Sequence, residues 1–209
     1  MVFKDRRHAG ELLAKQVEKR VGKNTVVVGI PRGGIVVARV VADRLNVPLD
    51  FIAVEKIGAP GNSEFALGAL GPENQIVLDQ ELVERMGIPP DFINKAVGQE
   101  GIELERKERA FRGAKPAEKL QGKTVILVDD GIATGATVEV AIKSIQAQGP
   151  EKLILAVPVA PQEALRKLEP LVDELFCLVV PSPFMAVGQF YENFDQTEDE
   201  EVVELLRGS

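Results

Sequence analysis

The sequence predicts an α/β protein: a three-layer, mostly parallel sheet with helices on both faces, plus a small hood or insert. Three observations carry this expectation. The apolar runs 25–30, 124–128, 152–158 and 175–180 read as strands buried on both faces, because a sheet covered by helices needs apolar side chains at odd and even positions alike. Helical segments alternate with these runs in the order βαβ…βαβαβ, and such crossovers return the chain to a parallel neighbour. With 209 residues the chain can bury a substantial core without disulfides or structural metals.

A first helix is expected over 9–21, where Leu12, Leu13, Val17 and Val21 recur at helical spacing. The strand 25–30 is broken by Pro31, Arg32, Gly33 and Gly34; a helix follows over 35–45 and stops at Asn46 and Pro48. Residues 49–57 read as one strand, and 58–64 (GAPGNSE) as a mobile loop, from their Gly, Pro, Asn and Ser. Short strands at 66–70 and 75–78 flank the turn 71–74. Asp79 then caps a short helix, and Pro89, Pro90 and Asp91 open a longer polar one. Its Glu/Arg-rich part, 100–112, reads as a solvated face with i,i+4 ion pairs, or alternatively as a dimer or hood surface. After the strand 124–128 come a helix at 136–148, a strand at 152–158, a helix at 161–171, a strand at 175–180 and an acidic helix at 198–206. The organisation expected is one domain, 1–209. Its core covers about 25–78 and 122–181, with a helical insert at about 79–118 and a C-terminal hood element at about 182–209.

Composition narrows the function classes. A formal net charge of −7 argues against a broad nucleic-acid surface, which needs clustered Lys and Arg. No run of about 18 apolar residues is present to span a membrane, and the first residues hold no apolar signal core, so a cytoplasmic protein is expected. The single cysteine, Cys177, lies in an apolar run and reads as a small buried hydrophobe. The single histidine, His8, belongs to the basic run 4–8, read as surface; one histidine excludes a multi-His metal site. The phosphate-binding GxxxxGK[ST] loop is missing.

The informative stretch is 125–137, VILVDDGIATGAT. Apolar β-formers lead into Asp129 and Asp130 at the C-terminal end of a strand, where open α/β sheets bind ligands. Small residues then open a helix, so that backbone N–H groups and the helix dipole attract an anion. Two carboxylates beside an anion cradle suit a ligand with both hydroxyls and a phosphate, such as a ribose 5-phosphate. The stretch resembles the phosphoribosyl-pyrophosphate (PRPP) motif of type I phosphoribosyltransferases: an apolar strand, two acids, and a small-residue loop ending Thr-Gly-x-Thr.

The resemblance implies that Asp129 and Asp130 hold the ribose hydroxyls. Gly131, Ile132, Ala133, Thr134, Gly135, Ala136 and Thr137 would wrap the 5-phosphate with N–H groups and the two threonine hydroxyls. Where the hypoxanthine-guanine branch has an Asp before Thr-Gly, this chain has Ala133, as in the adenine and orotate branches; the acceptor expected is a base other than a 6-oxopurine. By the same resemblance Pro31, Arg32, Gly33 and Gly34 form the pyrophosphate loop, with a cis peptide at Pro31-Arg32 or Arg32-Gly33. Lys56 stands at the stem of a loop that closes over PRPP, so the catalytic set implied is Asp129, Asp130, Arg32 and Lys56. Glu55 has no part in this reading and points away, since adjacent strand residues face opposite sides.

Phe184, Phe190 and Tyr191 gather in a chain with few aromatics, either as core beneath the last helix or as a hood lining the acceptor pocket. The implied reaction displaces pyrophosphate from C1 of PRPP by a ring nitrogen. It would use Mg²⁺ held mostly by substrate oxygens and water, with no protein ligand assigned. Partners implied are PRPP, a small-molecule acceptor and a second copy in a homodimer, with neither nucleic acid nor membrane. A non-catalytic PRPP- or nucleotide-sensing regulator on the same fold stays open as the alternative.

Overall fold

The computed structural model describes residues 2–113 and 116–208, apart from the side chains of Ser63 and Glu64. The first half runs α1 (Arg6–Val17), β1 (Thr25–Gly29), α2 (Gly33–Leu45), β2 (Leu49–Phe51), β3 (Glu55–Ala59), β4 (Asn62–Leu70), β5 (Ile76–Leu78), α3 (Gln80–Arg85) and α4 (Pro90–Arg112). The second half runs β6 (Thr124–Val128), α5 (Ala136–Gln146), β7 (Lys152–Val159), α6 (Gln162–Leu168), β8 (Glu174–Val179) and α7 (Asp199–Arg207).

Five strands form a wholly parallel sheet in the order β2-β1-β6-β7-β8. Alternation along each strand sends its residues to two cores. Val27, Ile126 and Ile154 face α1, α2 and α7, whereas Val26, Leu127 and Leu155 face α5 and α6. That is why the strands read as unbroken apolar runs, and it gives the three-layer α/β class expected. Local signals set the helix ends. Asp5 is extended and accepts the His8 N–H at 2.7 Å, which starts α1 three residues earlier than its apolar spacing indicates. α1 also ends earlier, at Val17, and Glu18–Arg20 continues as a short 3-10 turn. Among the described residues no helix is long and apolar enough to cross a membrane. Cys177 is half-buried rather than fully buried, and burial pushes its thiol up to about 11.

Two expectations fail between residues 49 and 64. Residues 49–57 are not one strand: β2 ends at Phe51, opposite Gly29, the last residue of its neighbour β1, and the Ile52 N–H makes a final bond to Gly29 at 3.1 Å. Once β1 has ended, the chain leaves the sheet, and Glu55 begins a separate antiparallel sheet, β3-β4-β5. Nor is 58–64 a loop. Gly58 and Ala59 belong to β3 and Asn62 to β4; only Pro60 and Gly61 turn, with Gly61 at φ 73°. Proline followed by a residue at positive φ is the signature of a type II turn, so the Gly/Pro content marks a tight hairpin.

The chain ends meet. Phe3 pairs with the segment after β8, its N–H donating to the Phe190 carbonyl at 2.7 Å and its carbonyl accepting from Glu192 at 2.8 Å.

Candidate active site

Because β1 and β6 are parallel neighbours with Gly29 opposite Val128, the turns that follow them emerge side by side at the C-terminal edge of the sheet. This brings Gly33 and Gly34 against Asp129 and Asp130, about a hundred residues apart in the chain. A Cβ on Gly33 would overlap Asp130 Oδ2, and one on Gly34 would lie 2.8 Å from Asp129 Oδ1. Only hydrogen fits at either position, so the two glycines let the start of α2 close onto the carboxylates. The cis peptide of this turn is Pro31-Arg32.

Beyond the acids, the Ile132 N–H is anchored to the Val159 carbonyl at 2.9 Å, leaving Ala133 and Thr134 exposed. Gly135 begins α5 at φ 89° with no side chain capping the helix. The first N–H groups of an α-helix have no partner within it. The arrangement is a polar cradle of amides beside two carboxylates.

Burial is the main influence on both acids. It pushes Asp129 well above the ordinary carboxylate range, and the charge of Asp130 adds to the effect. Asp130 is also raised by burial but opposed by the guanidinium of Arg6, whose Nε donates to Oδ2 at 2.7 Å. Lys56 is exposed on β3, and its charge favours the ionised form of both acids. Its neighbour Glu55 faces the other way, as strand alternation requires, and accepts from Lys107 of α4 at 2.9 Å.

The remaining expected site residues lie elsewhere. Arg32 is exposed and turns to the first residue of α7, Nη1 lying 3.6 Å from Asp199 Oδ1. Tyr191, expected as pocket lining, is buried between Phe3 and Phe194, with ring centroids at 5.2 and 5.0 Å. Its hydroxyl donates to the Asp130 carbonyl at 2.6 Å, and burial raises its pKa strongly. Phe184 and Phe190 stack 5.8 Å apart against the cluster that holds Phe3 and Val159. The aromatic segment therefore packs as a support for the acidic turn. A cavity of about 650 Å³ lies between α4, the edge strand β2 and the turn after β4, and shares no residue with these turns.

Arg6 is the residue that sequence reading missed. Besides Asp130 it reaches the Asp195 carbonyl through Nη1 at 2.7 Å, and its guanidinium lies 3.9 Å from the centroid of Phe194. The basic run 4–8 reads as surface, which is true of exposed Arg7; nothing in the local sequence distinguishes Arg6 from it.

A family model described as the phosphoribosyl transferase domain matches residues 4–194. The chain belongs to the phosphoribosyl transferase family. Two Mycobacterium tuberculosis relatives, from strains H37Rv and CDC 1551, carry phosphoribosyl transferase in their names. Each is 40% identical over 205 residues, covering 98% of this chain and 46% of its own. The chain thus spans about half the length of the curated relatives it matches. The crystal structure of TT1426 from Thermus thermophilus is 40% identical with a TM-score of 0.82, covering 99% of this chain and 98% of that one. AQ2163 from Aquifex aeolicus shares the fold at 17% identity and a TM-score of 0.54, over 84% of this chain and 74% of its own. The phosphoribosyl transferase match takes in both the acidic turn and the paired-glycine turn described above.

Proposed function

We propose that this phosphoribosyl transferase works in the cytoplasm, taking PRPP as donor. It moves the phosphoribosyl group to a ring nitrogen of a small-molecule acceptor and releases pyrophosphate. The observation that carries the proposal is the packing of Asp129 and Asp130 against Gly33 and Gly34, beside the uncapped start of α5. Three chemistries that PRPP demands thus adjoin one another: acceptors for ribose hydroxyls, amides for a 5-phosphate, and a second helix start for pyrophosphate.

In this reading Asp129 and Asp130 accept from the ribose hydroxyls and lie near the positive charge that develops on the ring as the C1–O bond to pyrophosphate breaks. The loop 131–137 immobilises the 5-phosphate. Gly33, Gly34 and Lys56 take up charge on the departing pyrophosphate, while Arg32 is drawn from Asp199 only if the turn rearranges. Positioning and charge complementarity carry the rate, without a protein nucleophile. Among the described residues no three His, Cys, Asp or Glu side chains group to hold a metal ion. In this reading a Mg²⁺ carried in by the substrate, bound through phosphate oxygens and water, would neutralise pyrophosphate charge. Ala133 leaves the loop without a carboxylate to meet a base, in line with an acceptor other than a 6-oxopurine. A homodimer belongs to the same proposal, with exposed Phe65, Met86 and Ile102 as apolar side chains for it to cover.

Calorimetric titration with PRPP and Mg²⁺ tests the donor site. The Asp129→Asn, Asp130→Asn double variant is expected to bind at least about a hundredfold more weakly, two charge-assisted hydrogen bonds being lost, with its circular dichroism unchanged. Unchanged affinity overturns the site. A pyrophosphate-release screen over purine, pyrimidine and pyridine bases tests transfer; tight PRPP binding without release for any acceptor supports the regulator instead.

A further inference from the structure

We propose that Arg6 is a positioning residue of this site: its guanidinium sets the Asp130 carboxylate and clips the segment 187–195 beneath it. The inference rests on reading Asp129 and Asp130 as the ribose-binding pair, and it adds to that reading a residue 124 positions from Asp130.

One planar group serves three residues. Arg6 Nε donates to Asp130 Oδ2 at 2.7 Å, Nη1 donates to the Asp195 carbonyl at 2.7 Å, and the Phe194 ring lies 3.9 Å from the guanidinium carbon. Both side chains of the ion pair are nearly covered, Arg6 12% and Asp130 16% exposed. A Cβ on Gly33 would come within 2.6 Å of Arg6 Nε, so the guanidinium also abuts the turn that starts α2. Asp130 is fixed a second time through its backbone, where Tyr191 donates to its carbonyl. Phe194 packs on Tyr191 and closes the circuit Arg6–Phe194–Tyr191–Asp130.

The chemistry asks for arginine. Its fork serves two acceptors in different directions at once, and its flat face accepts an aromatic ring; an ammonium offers a point charge and neither geometry. With Oδ2 occupied by Arg6, the carboxylate presents Oδ1 to a ribose hydroxyl in a set orientation, and Arg6 never has to touch the substrate. α1 keeps its place without Arg6, because Ala9, Leu13 and Val17 are buried in the core.

The chain has one tyrosine and no tryptophan, so its ultraviolet emission reports Tyr191 alone. Acrylamide quenching of that emission in the free protein, and calorimetric PRPP·Mg²⁺ affinity, are measured for the wild type, Arg6→Ala and Arg6→Lys. For Arg6→Ala the quenching constant is expected to rise about twofold as the segment opens locally. Its PRPP affinity falls about tenfold or more, the loss of one charge-assisted hydrogen bond at Asp130, with thermal stability largely kept. Arg6→Lys retains charge without the fork, so it shows the same rise in quenching with a smaller loss of affinity. Quenching and affinity both at wild-type values in Arg6→Ala overturn the proposal, and a rise in quenching with unchanged affinity overturns the positioning of Asp130. A wild type that does not bind PRPP, with quenching still raised in Arg6→Ala, refutes the ribose reading while the clip stands. Arg6→Gln, which keeps polar donors and drops the charge, carries the same comparison where the alanine variant does not fold.

Discussion

Among the described residues Asp129 has no ion-pair partner, and its buried carboxylate accepts the Asp130 N–H at 2.8 Å beside Gly34. Its native pKa stands above the unfolded value of about 3.9, so between the two the folded state binds more protons and stability falls as pH rises. Above the native pKa the full cost is present. Asp129→Asn is therefore expected to raise the Tm of the free protein at neutral pH while weakening PRPP binding. The gain should vanish toward pH 4. Thermal melts across that range check the sign, and a lower Tm at pH 7 would contradict it. The acids and the paired glycines were legible in the sequence because each belongs to a short local pattern. The contacts of Arg6 and Tyr191 with Asp130 were not: that partner lies 124 and 61 residues away, and no local pattern encodes such contacts.

At the scale of elements, the β3–β4 hairpin places Lys56 and Glu55 on opposite faces. Glu55 anchors the strand to α4 through Lys107, which leaves Lys56 on a fixed stem where its charge reaches the carboxylates. In the proposed reaction a cation held this way would act on leaving-group charge more than on ground-state binding. Lys56→Ala is expected to lower turnover at least about tenfold with a smaller change in PRPP affinity; equal losses in steady-state turnover and calorimetric affinity would contradict this role. Alternating runs and capping residues made the parallel strands and their helices legible. The exit from the sheet after Phe51 was not, because a strand's length depends on where its neighbour ends, and β1 ends at Gly29. The hairpin was misjudged for a related reason: Gly and Pro mark turning backbone, but the turn's length follows from cross-strand pairing.

Across the whole molecule, the first residues and the segment after β8 pair beneath the acidic turn, and fully buried Phe3 is the pin between them. Phe3→Ala is expected to cost about 3–5 kcal/mol, as for other large aromatic truncations in a packed core, and to expose Tyr191 to quencher. Chemical denaturation with Tyr191 emission as the probe measures both; a loss below about 1 kcal/mol would show that the two ends are held by other contacts. The α/β class was readable at this scale because burial on both faces of the strands leaves a compositional mark. The meeting of the ends leaves none. Its consequence is one of timing. The strands β1, β6 and β7 and the turns that follow β1 and β6 have all been synthesised by residue 160, yet the clasp on Asp130 needs Tyr191, Phe194 and Asp195. During synthesis the Asp130 carboxylate thus stays unset after its own strand and turn have emerged, and setting it waits for residues 191–195.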